Sequence, residues 1–307
     1  MKKQILLFML IIFGSGALSA QIDMSDSTVQ VISYWKLGDV QDYHFTESEI
    51  VLTNEDTMSI EVNSFDVDIK VSDSTSVGYI LEWTRSNFQF SSSNFLDVQL
   101  QAILSDIPII LATDVYGSNV QVLNWETLSN AVNDKCSLLL MEYTDKPTLL
   151  TTINQTKRKY ISKASIETFV IRDISQYFTY HGAKYKLGET ITEDIKIPNN
   201  YGGDPLDATA AMVLDELLPE NNTSIIKSFL NINARQLTAV TYDFLKSLNI
   251  VEGSLPSYED FPTVTKQIWG GSEIHSNSGW VIYSQESEQV TSGDDVTLKE
   301  RIIEIVN

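Results

Sequence analysis

The chain has 307 residues and a formal net charge of −20, from 41 acidic against 21 basic side chains. A surplus of that sign excludes a general nucleic-acid binder, whose affinity comes from neutralising phosphates. A hydrophobic fraction of 43% with 20% charged residues excludes a disordered chain, and a single cysteine, Cys136, excludes an intrachain disulfide or a cysteine-based zinc cluster.

Residues 1–20 read as a secretory signal peptide. Lys2 and Lys3 form a positive n-region, Ile5 to Phe13 is an unbroken apolar run, and largely small residues follow from Gly14 to Ala20. The run is too short for a bilayer span, which needs about 20 apolar residues, and no later segment comes close. Cleavage is expected near Ala20, giving a soluble protein of the periplasm or the extracellular space with no membrane span. Leu18-Ser19-Ala20 is similar to the start of a lipobox, but Gln21 stands where the lipid-bearing cysteine must be, so the chain is not expected to be a lipoprotein.

Residues 21–123 form an N-terminal β-rich half. Phe65 to Val71 alternates strictly, four apolar side chains on one face and three charges on the other, as in a sheet wet on one side. Gly78 to Thr84, Phe95 to Leu104, Ile109 to Leu111 and Val120 to Leu123 read as further strands, with a turn over Asp114 to Asn119.

The period changes in the central segment, residues 124–182. Asn124 is placed to cap a helix from Trp125 to Asn133. A second helix is predicted from Ser165 to His181, burying Ile166, Phe169, Val170, Ile174, Tyr177 and Phe178 as one stripe and leaving Glu167, Arg172 and Asp173 wet. Gly182 stops it, and His181 sits where a helix C-terminus favours a cation.

Residues 183–307 form a C-terminal β-rich half with one helix. Tyr185 to Ile197 opens it, and Ala208 to Leu217 pairs with Ser224 to Ile232 across the turn Pro219 to Asn222. Asn233 caps a helix with Leu237, Val240, Phe244, Leu245 and Leu248 on one stripe, and strands close the chain around Val264 to Trp269, Gly279 to Ser284 and Val296 to Val306. Trp35-Lys36-Leu37-Gly38-Asp39 is matched by Tyr185-Lys186-Leu187-Gly188-Glu189, a five-residue repeat open to two readings: two similar halves, or two similar turns. The expected fold is α+β, a mainly antiparallel, curved sheet with about three helices on one face. In layout it resembles the exported half-barrels that carry lipoproteins, a resemblance of layout that carries no functional residue across.

Motifs for chemistry are lacking. The mature chain has no G-x-S-x-G elbow, H-E-x-x-H, P-loop or G-x-G-x-x-G, so no catalytic residue, metal or cofactor is assigned. A serine triad would need His44, His181 or His275, which a strand, a helix end and a turn already explain. Cys136 leads into Leu138 to Met141 and reads as a core thiol. Asp66 and Asp68 share a face with Lys70 and read as solvated surface. Calcium at Asp204 or at Asp294-Asp295 would be unsupported by any EF-hand pattern.

The aromatic residues carry more. Trp35, Trp83, Trp269 and Trp280 fall in or beside strands; exposed, they would stack on sugars or line an apolar groove, and buried they are core. The basic run Lys157-Arg158-Lys159 with Lys163 stands against the global sign, as a helix flank or a docking point for an acidic partner. The reading is an exported protein of the bacterial cell envelope, a non-enzymatic binding or interaction protein with an apolar, aromatic groove. Its partner would be an apolar or amphipathic small molecule, a glycan or another envelope protein. The alternatives are a carboxylate-based glycan hydrolase and a structural or adhesive envelope component.

Overall fold

Strict alternation in the sequence becomes strict alternation of burial. Along Phe65–Val71 the odd-numbered side chains are buried and the even-numbered ones face outward, and the same parity runs through the neighbouring strands. The computed structural model describes residues 22–91, 105, 107–169, 171–199, 201–247 and 255–306, with the side chains of Thr148, Thr168 and Phe169 set aside. The signal segment 1–20, the expected strand Phe95 to Leu104, Val170 and Leu248 lie outside the described residues, as does the Phe169 side chain.

Thirteen strands are described: β1 (Thr28–Gln30), β2 (Val40–Thr53), β3 (Asp56–Thr75), β4 (Gly78–Phe90), β5 (Ile109–Asp114), β6 (Gln121–Val122), β7 (Lys184–Lys186), β8 (Thr190–Ile197), β9 (Leu206–Leu218), β10 (Thr223–Ile232), β11 (Val264–His275), β12 (Val281–Ser292) and β13 (Asp295–Ile305). Five helices accompany them: α1 (Trp125–Glu142), α2 (Pro147–Lys159), α3 (Lys163–Phe169), α4 (Arg172–Phe178) and α5 (Ala234–Ser247). Eleven strands form one open antiparallel sheet in the order β6-β5-β4-β3-β2-β13-β12-β11-β10-β9-β8, and β1 pairs with β7 apart from it. Each half is a meander, and the halves join where β2 pairs with β13, from Thr53 opposite Asp295 to Tyr43 opposite Ile305.

The five-residue match is a match of geometry. Gly38 and Gly188 adopt φ +88° and +73°, conformations that cost glycine little. Asp39 N–H donates to the Lys36 carbonyl and Glu189 N–H to the Lys186 carbonyl. Gly38 N–H then bonds Val71 on β3, and Gly188 N–H bonds Leu214 on β9, one residue past the partner of the first strand residue in each case.

The helices differ from expectation in number and extent. Five are present among the described residues where about three were predicted. The helix predicted over Ser165 to His181 is two, α3 and α4, the second beginning after the β-branched Ile171, whose φ −100° and ψ 38° are not helical. Helix α1 runs through Cys136 to Glu142 rather than stopping at Asn133. Asn124 does not cap it. Its side chain bonds Ile110 N–H and the Pro108 carbonyl instead, pinning the start of β5. Asn233 does cap α5, accepting the Gln236 N–H at 3.1 Å.

Helix α4 lies over the seam of the two halves on the inner, odd-numbered face of β2, β3 and β4. Ile174, Tyr177 and Phe178 are buried as predicted. Asp173, predicted wet, is buried as well. Arg85 from β4 donates to both its carboxylate oxygens at 2.7 Å, and the two side chains are 9% and 6% exposed. A periodicity argument places a short acid on the polar side of a long helix; once the helix breaks at Ile171, the new one presents Asp173 to the sheet. Gln176 donates to Ser284 Oγ and to the Arg301 carbonyl, and the Tyr177 hydroxyl meets that of Tyr43 at 2.9 Å. Removing one member of a buried ion pair strands the other, so Asp173→Ala is expected to cost about 3–5 kcal/mol in chemical denaturation. Replacing both Arg85 and Asp173 by leucine should recover much of that loss. A loss below about 1 kcal/mol for Asp173→Ala would mean that the pair does not anchor the helix.

Candidate functional site

A cleft of about 650 Å³ opens on the inner face of the C-terminal half. Its floor is sheet: Leu230 and Ile232 from β10 and Ile268 from β11, all of the parity that faces the helices. Ile197 and Pro198 form one wall, where β8 ends. Phe244 comes from α5 and stacks on Tyr201 at a centroid distance of 4.7 Å, closing the apolar side. Arg158 and Lys159 from the last turn of α2, Arg172 from the first turn of α4 and Lys266 from β11 supply the opposite rim. The cleft thus lies between the α2–α4 group and α5.

The cations are held in two ways. Glu288 on β12 takes both Lys266, at 2.7 Å, and Arg172, at 3.0 Å. Burial pushes the Glu288 carboxyl up, and the two cations outweigh it, leaving the group below its ordinary range. Arg158 and Lys159 have no acidic partner among the described residues. They close α2 at its negative dipole end, where cations are favoured.

A smaller polar cleft of about 210 Å³ adjoins it, lined by Glu47, Glu49, Glu61, Arg172, Glu286, Glu288, Lys299 and Arg301 among others. Three of its carboxylates are engaged by cations, Glu47 by Arg301 at 2.7 Å, Glu49 by Lys299 at 2.7 Å and Glu286 by Arg301 at 3.7 Å, and Glu300 accepts from Gln285 and Ser287. A glycosidase acid needs a carboxyl held protonated, and the direction at Glu288 is the opposite. Asp68 is pushed up, first by burial and then by Asp42 and Asp66 beside it, but it stands on the outer face with no cleft around it among those described.

The four tryptophans read as candidates are not brought together. Trp83 and Trp35 are buried, at 0% and 4% exposure, and Trp280 stacks on Trp35 at 4.7 Å against the same core. Trp269 stands on the outer face opposite the helices, exposed like its cross-strand partner Phe229. None of the four lines the 650 Å³ cleft. Of its lining, the sequence reading singles out Arg158 and Lys159 as a basic run, Arg172 as a wet helix residue and Phe244 as a helix stripe residue.

The histidines hold structural bonds. His44 Nδ1 meets Asp66 Oδ1 at 2.7 Å on the outer face, and Asn87 Nδ2 donates to the other Asp66 oxygen at 2.8 Å. His275 Nδ1 meets Ser278 Oγ at 2.8 Å inside the β11–β12 turn, with no acid on the ring among the described residues. His181, placed by the sequence where a helix C-terminus favours a cation, is instead held toward the neutral form by burial. It is buried, its Nε2–H donates to the Gly279 carbonyl at 2.8 Å, and its ring lies parallel to Tyr177. Position 279 requires glycine, since a Cβ there would approach the Ile32 carbonyl oxygen to 2.4 Å. Cys136 is buried within α1, and burial pushes its thiol up, as a core cysteine requires. Among the described residues no group of three or more His, Cys, Asp or Glu is placed to hold a metal, and no helix is long and apolar enough to cross a membrane.

No protein-family model matches the chain, and no curated protein matches it. Among solved structures it is similar to lipovitellin, in a structure titled for its lipid–protein interactions, at 8% identity and a TM-score of 0.45. The match covers 89% of this chain and 25% of that one, so the chain spans a quarter of the length of lipovitellin. It is also similar to an outer membrane channel from Pseudomonas putida F1, at 5% identity and a TM-score of 0.18, over 93% of this chain and 100% of that one. At these scores neither likeness carries an argument about this chain.

His181 makes stability depend on pH. Burial lowers its pKa from 6.5 to about 4. The unfolded chain therefore takes up the proton first, and the stabilisation is fully present above pH 6.5 and lost as pH falls through about 4. The loss across that window is on the order of 3 kcal/mol. His181→Gln keeps a donor for Gly279 and cannot titrate. Urea denaturation from neutral pH downward should show a shallower decline for the variant; parallel declines would refute a buried neutral imidazole.

Proposed function

We propose that the chain is an exported binding protein of the bacterial cell envelope that holds an apolar or amphipathic small molecule in the cleft between the α2–α4 group and α5. One observation carries the reading: an inner-face floor on which Leu230 and Ile268 stay half-buried beside the buried Ile232, walled by Phe244, Tyr201 and Ile197. Its volume falls in the range of about 300–1,000 Å³ usual for small-molecule sites, with an apolar lining and a few polar groups at one side. An apolar strand face of that size left to water gives up burial free energy of roughly 25 cal/mol for each Å², and a bound chain recovers it. The lining is apolar side chains and cations, which supports binding.

A neutral naphthylamine dye tests the cleft. Its fluorescence should rise on mixing with the full chain and fall when dodecanol displaces it. Ile268→Asp, with a charge on the floor, should weaken dye and dodecanol at least about tenfold, equivalent to about 1.4 kcal/mol, while the urea midpoint confirms folding. Wild-type affinity in that variant would place the binding elsewhere.

The export reading rests on the n-region, the apolar run and Gln21 in the place of the lipobox cysteine. Intact-mass measurement on protein recovered from the envelope is expected to show loss of residues 1–20 or 1–19 and no acyl group. Retention of the segment, or an added acyl mass, would sink it.

A further inference from the structure

We infer that the ligand of this cleft is a single acyl chain ending in an oxyanion, a carboxylate or a phosphate, with the head held by Arg158, Lys159, Arg172 and Lys266. The inference rests on the binding reading above and adds the head group to it.

The first ground is a reversal of sign. The chain carries −20 overall, yet four cations and no acid line this cleft; Glu288, which pairs with two of them, belongs to the lining of the adjoining polar cleft. Elsewhere some cations are spent on a neighbouring carboxylate, as Lys299 is on Glu49 and Lys196 on Asp207, and others, such as Lys36 and Lys246, stand singly among the described residues rather than gathered at this cleft. Arg158 and Lys159 are not so spent among the described residues, and Lys266 and Arg172 share one carboxylate between them.

The second ground is preorganisation. Glu288 fixes Lys266 and Arg172 at 2.7 and 3.0 Å before any ligand arrives, and Lys266 is only 16% exposed. A cation held this way loses little side-chain freedom when it meets an anion. Two arginines at the rim offer planar forks of donors that match the paired oxygens of a carboxylate or phosphate.

The third ground is position. The cations face the wall of Ile197, Phe244 and Tyr201 across the apolar floor, so a ligand that fills both must be apolar along its length and anionic at one end. A neutral chain would leave Arg158 and Lys159 unused, and a free anion would leave the floor wet.

Isothermal calorimetry on the full chain at low salt, with dodecanoate, dodecyl phosphate, dodecanol, dodecyltrimethylammonium and inorganic phosphate, decides the matter. Dodecanoate and dodecyl phosphate are expected to bind at least about tenfold tighter than dodecanol, and the cationic chain weakest, as for a charge-assisted contact. That advantage should shrink as salt is raised toward about 0.5 M. In the double variant Arg158→Ala/Lys159→Ala the ratio of dodecanoate to dodecanol affinity should fall below about threefold. Lys196→Ala, outside the cleft, should keep the wild-type ratio. Dodecanol binding as well as the anions would overturn the head-group assignment and leave the apolar cleft standing. Failure of every chain to bind would overturn the cleft reading itself. Inorganic phosphate binding as tightly as dodecyl phosphate would show that the anion alone is the ligand and overturn the acyl chain.

Discussion

The pairing of β2 with β13 is the constraint on which the other features depend. It joins strands from opposite ends of the described chain, Tyr43 with Ile305, so the whole intervening chain must be closed into a loop before its hydrogen bonds form. In return, neither half has an edge there. The edges that remain are guarded: β6 is two residues long and its Val122 N–H is taken by Glu167 of α3, while β8 carries Glu193, Asp194 and Lys196 along its length. The seam also divides the inner face by chemistry. Phe45 opposes Ile303, then Glu47 opposes Arg301 and Glu49 opposes Lys299. Apolar side chains at one end of the same two strands give way to an ion-pair ladder at the other.

Helix α4 sits where that change occurs. Seven residues are too few for a helix to hold its shape in water, so tertiary contacts must fix it. The apolar end of the seam takes Tyr177 and Ile174. The Arg85–Asp173 pair and the Gln176 bonds supply direction, because a buried charge tolerates only the geometry that pairs it. Arg172 precedes Asp173 in the chain and lies about 100° around the helix. With Asp173 turned down to β4, Arg172 reaches Glu288 on β12 and the rim of the cleft. The core clamp and the cleft cation are thus set by one turn of one helix.

How much of this the sequence disclosed follows from what periodicity can resolve. The strands were legible because period-two alternation, as in Phe65 to Val71, has no other explanation. Their full lengths were not, since β3 continues to Asp56 through residues exposed on both sides. Helix α2 is hard to see in the sequence: Pro147 is a good first residue, but the stripe behind it is short, Leu149, Leu150 and Ile153 within a Thr-rich run. That omission hid the meaning of Lys157-Arg158-Lys159, legible as a charge anomaly but not as the closing turn of a helix above Ile268. Alternation also separates the two faces of a strand without saying which one helices cover. Trp269 and Trp83 therefore looked equivalent, although one is exposed on the outer face and the other has no exposure at all.

The charge distribution gives the cleft its character. Acids dominate the outer face, where Asp42, Asp66 and Asp68 crowd closely enough to push Asp68 up, after burial has done so. At distances beyond about 10 Å in 0.1 M salt such charges are screened from an approaching anion. Closer in, the cations over the apolar floor act through a medium that screens less, with Glu288 and the adjoining carboxylates partly offsetting them. An anionic ligand is therefore not drawn in from afar, as it would be toward a basic protein. On the proposal above, it would be retained once seated, by contacts in reach of Arg158, Lys159, Arg172 and Lys266. Selectivity in such a site would reside in the rate of leaving rather than the rate of arrival.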